Sequence, residues 1–209
     1  MHKPVLVIAC GALAREIADL KRSYGWNHLR LRCLDARLHN RPDEIPRRVR
    51  DAIRESRGDY ENIFVAYADC GTGGALDDVL AEEGVERLPG AHCYQFFAGS
   101  PRFSRLASAE PGTFYLTDFL ARNFERLVIA PLGLDEHPDL RDAYFGNYTR
   151  LVYLSQTLDA GLVQAARQAA DRLSLAFEHV HCGYGELESG LAERFSRWDD
   201  DQEDLRLLA

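Results

Sequence analysis

The sequence predicts an α/β protein: a mostly parallel sheet in three layers, with helices on both faces and a helical insertion around residues 114–147. Three observations lead there. Short continuous apolar runs, such as Val5-Leu6-Val7-Ile8-Ala9 and Ile63-Phe64-Val65-Ala66-Tyr67, have the composition of strands buried on both faces. Segments with apolar residues at helical spacing alternate with those runs. The 209 residues are 46% apolar and 28% charged, enough for the core of one ordinary domain and too apolar for disorder.

The elements follow in order. Val5 to Ala9 is a strand, and Ala12 to Tyr24 a helix with Leu13, Ile17, Leu20 and Tyr24 on one stripe. His28 to Leu34 alternates Leu29, Leu31 and Cys33 with His28, Arg30 and Arg32, the period of a half-exposed strand. Asp43 to Ser56 is a helix built on Ile45, Val49 and Ile53, ended by Gly58-Asp59. Asn62 to Ala68 is a buried strand, Leu76 to Glu83 its helix, and Val85 to Leu88 a short strand. Thr117 to Ile129 and His137 to Phe145 read as helices around Pro131-Leu132-Gly133. Arg150 to Leu154, Ala160 to Leu173 and Ala176 to His181 resume the alternation, and Leu187 to Phe195 reads as a last helix. The expected division is one domain over 1–195 and an acidic, frayed tail over 196–209.

Charge excludes several roles. Lys plus Arg number 25 and Asp plus Glu 33, a net charge of −8, which disfavours nucleic acid as a partner. No stretch approaches the ~20 apolar residues of a bilayer span, so no membrane partner is expected. Met1-His2-Lys3-Pro4 runs straight into a strand-like segment rather than a signal-peptide core, so the expected location is cytoplasmic.

Five cysteines in a cytoplasmic chain do not form a disulfide framework. Ligands of parallel sheets bind beyond the carboxyl ends of the strands. Cys10 ends the first strand, Cys70 follows the third, and Cys93 follows the fourth, so three thiols are expected at one sheet edge. Cys10 and Cys70 precede glycines and helix starts, whose partial positive charge favours thiolate. Three thiolates with one open position suit a [4Fe–4S] cluster with an uncapped iron, or zinc as the alternative. With no fourth ligand nearby in the sequence, iron–sulfur is preferred. The separations of 60 and 23 positions match no local metal-finger pattern. Cys33 reads as a small buried apolar residue and Cys182, closing the last strand, as a possible fourth ligand.

Asp69-Cys70-Gly71-Thr72-Gly73-Gly74 reads as a turn presenting backbone N–H groups to an anion or to cluster sulfur. Gly11, Gly71, Thr72, Gly73, Gly74 and Arg150 are the candidate binding residues, Asp69 and His92 the candidate proton-handling residues, and Cys10, Cys70 and Cys93 the candidate metal ligands. The bland readings are a tight turn without ligand, a structural His92 and cysteines that are merely small.

Ile8-Ala9-Cys10-Gly11-Ala12-Leu13 with Glu16-Ile17, Tyr67-Ala68-Asp69-Cys70-Gly71-Thr72-Gly73-Gly74, His92-Cys93-Tyr94 and Tyr144-Phe145-Gly146-Asn147-Tyr148-Thr149 together resemble domain of unknown function family 1638. The resemblance spans nearly the whole chain, and its three cysteine motifs fall on Cys10, Cys70 and Cys93. Cys33 and Cys182 are outside that pattern. Members are often encoded beside corrinoid proteins and methylamine- or betaine-type methyltransferases, so the resemblance implies one-carbon or methylated-amine metabolism. The resulting expectation is a cysteine-ligated metal or iron–sulfur protein whose open site acts as a Lewis acid on a small molecule, as a hydro-lyase or in methyl or thiol transfer. The alternative is a non-catalytic accessory protein that binds a corrinoid, a cluster or a methyltransferase partner.

Overall fold

The computed structural model describes the backbone of residues 4–207 and the side chains of residues 4–196. The expected tail over 196–209 lies almost wholly outside those side chains. The strands sort into two parallel sheets, and the chain divides into two compact units, Met1–Cys93 with Glu186–Ala209 and Tyr94–Gly185, where the sequence reading placed one sheet in one domain. The class is α/β, as expected: every sheet pairing is parallel, and helices alternate with the strands.

In the first unit, β1 (Val5–Cys10), β2 (Leu29–Leu34), β3 (Asn62–Ala66) and β4 (Glu86–Arg87) pair in the order β2-β1-β3-β4. β1 is central and buried along its whole length, which is why it reads as an unbroken apolar run. Helices α1 (Ala14–Ser23), α2 (Ile45–Ser56) and α3 (Ala75–Glu83) make the crossovers. Right-handed connections put α1 on one face and α2 and α3 on the other. Each buries the stripe its spacing announces: Ile17 and Leu20, then Ile45, Val49 and Ile53, then Leu76, Val79 and Leu80. The last helix, α9 (Gly185–Leu207), seats Phe195 edge-on against Trp26 at 4.9 Å, and fully buries Leu187 and Leu191. Fully burying each such side chain contributes about 1.5–3 kcal/mol.

The second unit contains β5 (Thr113–Leu116), β6 (Arg150–Ser155) and β7 (Ala176–His181) in the order β5-β6-β7. Helix α8 (Ala160–Leu173) packs Leu162, Ala166, Ala169 and Ala170 with Leu151 and Tyr153 of β6. Val152 and Leu154 form a second cluster with Ala98, joined by Tyr94, Phe103 and Tyr115.

Four departures from expectation lie here. The helical insertion around 114–147 begins with strand β5, whose four residues are too few to show a period. The helix expected over Thr117 to Ile129 is broken into α6 (Asp118–Arg122) and a π-helical turn, Glu125–Ile129. Helices α4 (Cys93–Ala98) and α5 (Ser100–Ala109) fill a stretch left without helix, and α7 (Leu140–Phe145) is shorter than expected. Among the described residues, no helix is long and apolar enough to cross a membrane.

Candidate functional site

In the order β2-β1-β3-β4 the chain leaves β1 and β3 in opposite directions, so the carboxyl ends of those two strands flank a topological switch point. Cys10 is the last residue of β1 and is buried. Its Sγ accepts the Ala12 N–H at 3.4 Å and caps the short 3-10 turn Gly11–Leu13. Cys70 lies just beyond β3 with φ at +51°, a left-handed conformation that few non-glycine residues adopt. Its N–H donates to the Ala91 carbonyl at 2.8 Å and that of Asp69 to the Gly90 carbonyl at 3.0 Å. These two bonds tie the loop after β3 to the segment that delivers half-buried Cys93 at the start of α4.

The residue that links the thiols is His39. It sits on a 3-10 turn after β2, Ala36–Asn40, capped by Asp35, which accepts the Arg37 N–H at 2.9 Å. His39 Nδ1 is 3.7 Å from Cys10 Sγ and 3.1 Å from the Ala36 carbonyl oxygen, and the imidazole also engages the thiols of Cys70 and Cys93. Three strand-end connections and the β2 exit therefore meet at one imidazole. Among the described residues, no group of three or more His, Cys, Asp or Glu side chains is placed so as to hold a metal ion.

Gly11 makes the approach of β2's exit possible. A Cβ there would stand 2.8 Å from the Leu34 carbonyl oxygen and 3.3 Å from the Ala36 nitrogen, both backbone atoms. Gly11→Ala is expected to destabilise the protein by about 1–3 kcal/mol through this overpacking. Urea denaturation measures it, and an unchanged midpoint contradicts the steric account.

The electrostatics follow from crowding ionisable groups. Burial pulls the His39 imidazolium down, but hydrogen bonding to Cys10, Cys70 and Cys93 outweighs it and raises the pKa well above the ordinary histidine value. Burial pushes the Cys93 thiol up; His39 offsets part of this, and the neighbouring Cys70 and Cys10 add to it.

Tyr67 completes the site. It is fully buried, and its hydroxyl lies beside Cys10 without a well-formed hydrogen bond. Burial raises the phenol's pKa, and the charges of Cys10 and Cys70 raise it further.

The remaining sequence candidates have other partners. The Asp69 carboxylate accepts from Thr72 Oγ1 at 2.5 Å, from the Gly73 N–H at 3.1 Å and from the Gly74 N–H at 2.9 Å. Its pKa is lowered, by the Thr72 hydroxyl first, with burial opposing, and then by the Gly74, Gly73 and Gly71 amides. The glycine turn thus directs amides onto its own aspartate, and Thr72 Oγ1 goes on to accept the Leu76 N–H at 3.4 Å in the first turn of α3. His92 is exposed beside Cys93. Arg150 belongs to the second unit, at the amino end of β6, where it donates to Glu178 at 2.7 Å, to Thr113 Oγ1 at 2.9 Å and to the Leu106 carbonyl at 2.9 Å. Cys182, also in the second unit, donates to the Val180 carbonyl at 3.5 Å. Cys33 is exposed rather than buried, because β2 is an edge strand.

His39 and Tyr67 were the residues the sequence reading passed over. The signal for His39 was topological: β2 ends at the same edge as β1 and β3, so the loop after it belonged in the search. Tyr67 was hidden in an apolar strand, where it reads as core.

Comparison with curated proteins gives no match. Among solved structures, ornithine carbamoyltransferase from Pyrococcus furiosus is similar at 14% identity over 86% of this chain and 54% of that one, with a TM-score of 0.29. This chain spans about half of that chain's length, and likeness at this level carries no argument. A family match covers residues 33–191, beginning downstream of Cys10 and taking in His39, Tyr67, Cys70 and Cys93. The chain belongs to the family described as protein of unknown function (DUF1638).

Proposed function

We propose that Cys10, Cys70 and Cys93, with His39 beside them, hold a metal centre that engages a small oxygen- or sulfur-bearing molecule in one-carbon or methylated-amine metabolism. The observation that carries this reading is the meeting of three thiols, from three separate loops, at one imidazole. A divalent cation, once bound, would deprotonate these thiols and take them as ligands.

Distance favours zinc. A sulfur at about 2.3 Å and a nitrogen at about 2.0–2.1 Å from one tetrahedral ion lie roughly 3.6 Å apart. The Cys10 Sγ to His39 Nδ1 separation is 3.7 Å. Three thiols and an imidazole are also a recurrent zinc donor set. The second reading is the [4Fe–4S] cluster expected from the sequence, held by the three thiols alone. What favours it is that His39 Nδ1 already has the Ala36 carbonyl as a partner, which leaves the ring outside the ligand set.

When bound, the metal supplies Lewis acidity toward a heteroatom of the small molecule. The chain's own residues do the rest. Cys10 anchors from the end of β1, Cys70 from the loop after β3 and Cys93 from the start of α4. His39, exposed on a short turn, is the member free to yield its place or to move a proton at the substrate heteroatom. Tyr67 donates its hydroxyl proton toward Cys10 sulfur and withdraws charge from it. Asp69 keeps the Cys70 turn closed.

Anaerobic purification followed by elemental analysis and a visible spectrum tests the reading. About one zinc per chain in colourless protein, or about four iron in brown protein, supports it; protein without either metal overturns it. Tyr67→Phe gives a separate expectation. Removing a buried hydroxyl that lacks a partner leaves metal-free protein as stable or up to about 1 kcal/mol more stable. A loss above about 1 kcal/mol in urea denaturation contradicts the assignment of that hydroxyl to the bound state.

A further inference from the structure

The carboxyl edge of the second sheet carries a cluster of its own. β7 lies at the edge of that sheet. His179 and His181 are two residues apart on it, so both rings project from one face. The register sets His179 opposite Tyr153 and His181 opposite Ser155. Both histidines are exposed, whereas Ser155 is fully buried. His179 Nε2 lies 2.9 Å from Ser155 Oγ, and His181 Nδ1 lies 3.0 Å from the same oxygen. Two imidazole nitrogens from one strand thus converge on a single buried oxygen, with solvent on the other side.

The arrangement is held in place. Tyr153 stacks nearly flat on His179, with 5.2 Å between ring centres and 17° between planes. The Tyr153 hydroxyl is in turn fixed by Asp118 at 2.6 Å. Burial lowers the His179 pKa and His181 lowers it further, with Asp118 opposing.

We infer that His179 Nε2 and His181 Nδ1, with Ser155 Oγ as a third donor, form a binding site for a divalent first-row transition ion such as zinc. The donors decide the class of ion: imidazole suits zinc, cobalt, nickel or copper, whereas magnesium and calcium take oxygen. Binding requires no bond cleavage and no oxidant. Each ring places its proton on its remote nitrogen, Nδ1 of His179 and Nε2 of His181, and Ser155 turns a lone pair to the ion. Donor atoms on one tetrahedral ion at about 2.0–2.1 Å lie roughly 3.3 Å from one another, close to the 2.9 and 3.0 Å that separate the two ring nitrogens from Ser155 Oγ. Three protein donors leave at least one position for water or a small ligand. This site uses none of the thiols and stands or falls apart from them.

The test is titration of the full-length protein with zinc against a chromophoric chelator. The variants are His179→Ala, His181→Ala, Cys70→Ser and the exposed control His137→Ala. The inference expects His179→Ala and His181→Ala each to weaken one class of site at least tenfold, with that class unchanged in Cys70→Ser and His137→Ala. His179→Gln keeps the size of the side chain should the alanine variant fail to fold, and is expected to weaken zinc equally. Wild-type affinity in both histidine variants overturns the site. So does an equal loss in His137→Ala, which marks binding by any surface histidine. Because Cys70→Ser reports on the thiol centre alone, failure there leaves this inference standing, and the reverse also holds.

Discussion

Serine at Cys10, Cys70 or Cys93 is expected to strip the anaerobically purified protein of the metal held at the thiol centre, while Cys33→Ala retains it. Structural zinc binds cysteine-rich sites with roughly 10–16 kcal/mol at neutral pH. Losing one of four donors removes on the order of a quarter of that, about 3 kcal/mol, or about two orders of magnitude in affinity. A serine hydroxyl is the right size but stays protonated where a thiol ionises. Cys33 is the informative control, because it pairs with Ala9 in the same sheet and its thiol is close enough for the Cys10 charge to raise its pKa, after burial. It is exposed on an edge strand, away from the imidazole that joins the other three. Metal content by elemental analysis, with circular dichroism to confirm folding, decides the matter. Equal metal in all four variants removes the assignment.

The largest stability effect is expected at Asp118→Ala. Asp118 is fully buried just after β5 and binds the carboxyl end of β6. One carboxylate oxygen accepts from the Tyr153 hydroxyl at 2.6 Å and the Gln156 N–H at 3.0 Å. The other accepts from the Thr157 N–H at 3.1 Å and the Thr157 hydroxyl at 2.5 Å. Arg122 approaches to 3.6 Å. Burial and then the Asp118 hydrogen bond raise the Tyr153 pKa, so the tyrosine stays a donor. Alanine would orphan a buried phenol, the buried Gln156 amide and the half-buried Thr157 amide, with each fully buried group costing about 1–3 kcal/mol. A net loss of about 3–5 kcal/mol is expected, as when one partner of a buried ionic cluster is removed. Asp118→Asn, which keeps one acceptor oxygen, should lose less. Urea denaturation monitored by tyrosine and tryptophan fluorescence measures both, and a loss under about 1 kcal/mol for the alanine variant contradicts the network.

Central elements were the legible ones. β1, and β3 from Ile63 onward, are apolar because each strand has a neighbour on both sides, and α2 announces its buried stripe at Ile45, Val49 and Ile53. The division into two sheets was not legible, because it depends on β4 being only two residues long and on β5 pairing with β6, and neither leaves a local pattern. Cys33 shows the limit of alternation: the period placed it with Leu29 and Leu31, but an edge strand lacks the neighbour that would cover it. At the site, Cys10, Cys70 and Cys93 followed from one topological rule about strand ends. The fate of the glycine turn did not, since nothing in the order Asp69-Cys70-Gly71-Thr72-Gly73-Gly74 says that the amides close on Asp69. His39 escaped notice because a lone histidine on a short turn has no periodicity, and only the folded exit of β2 brings it to Cys10.

X-ray absorption at the edge of whichever metal accompanies the anaerobically purified protein tests the account most directly. The account predicts a shell of three sulfur neighbours at about 2.3 Å, joined by one light atom at about 2.0–2.1 Å if His39 is a ligand. A first shell of nitrogen and oxygen alone would show that the thiols at this sheet edge bind no metal.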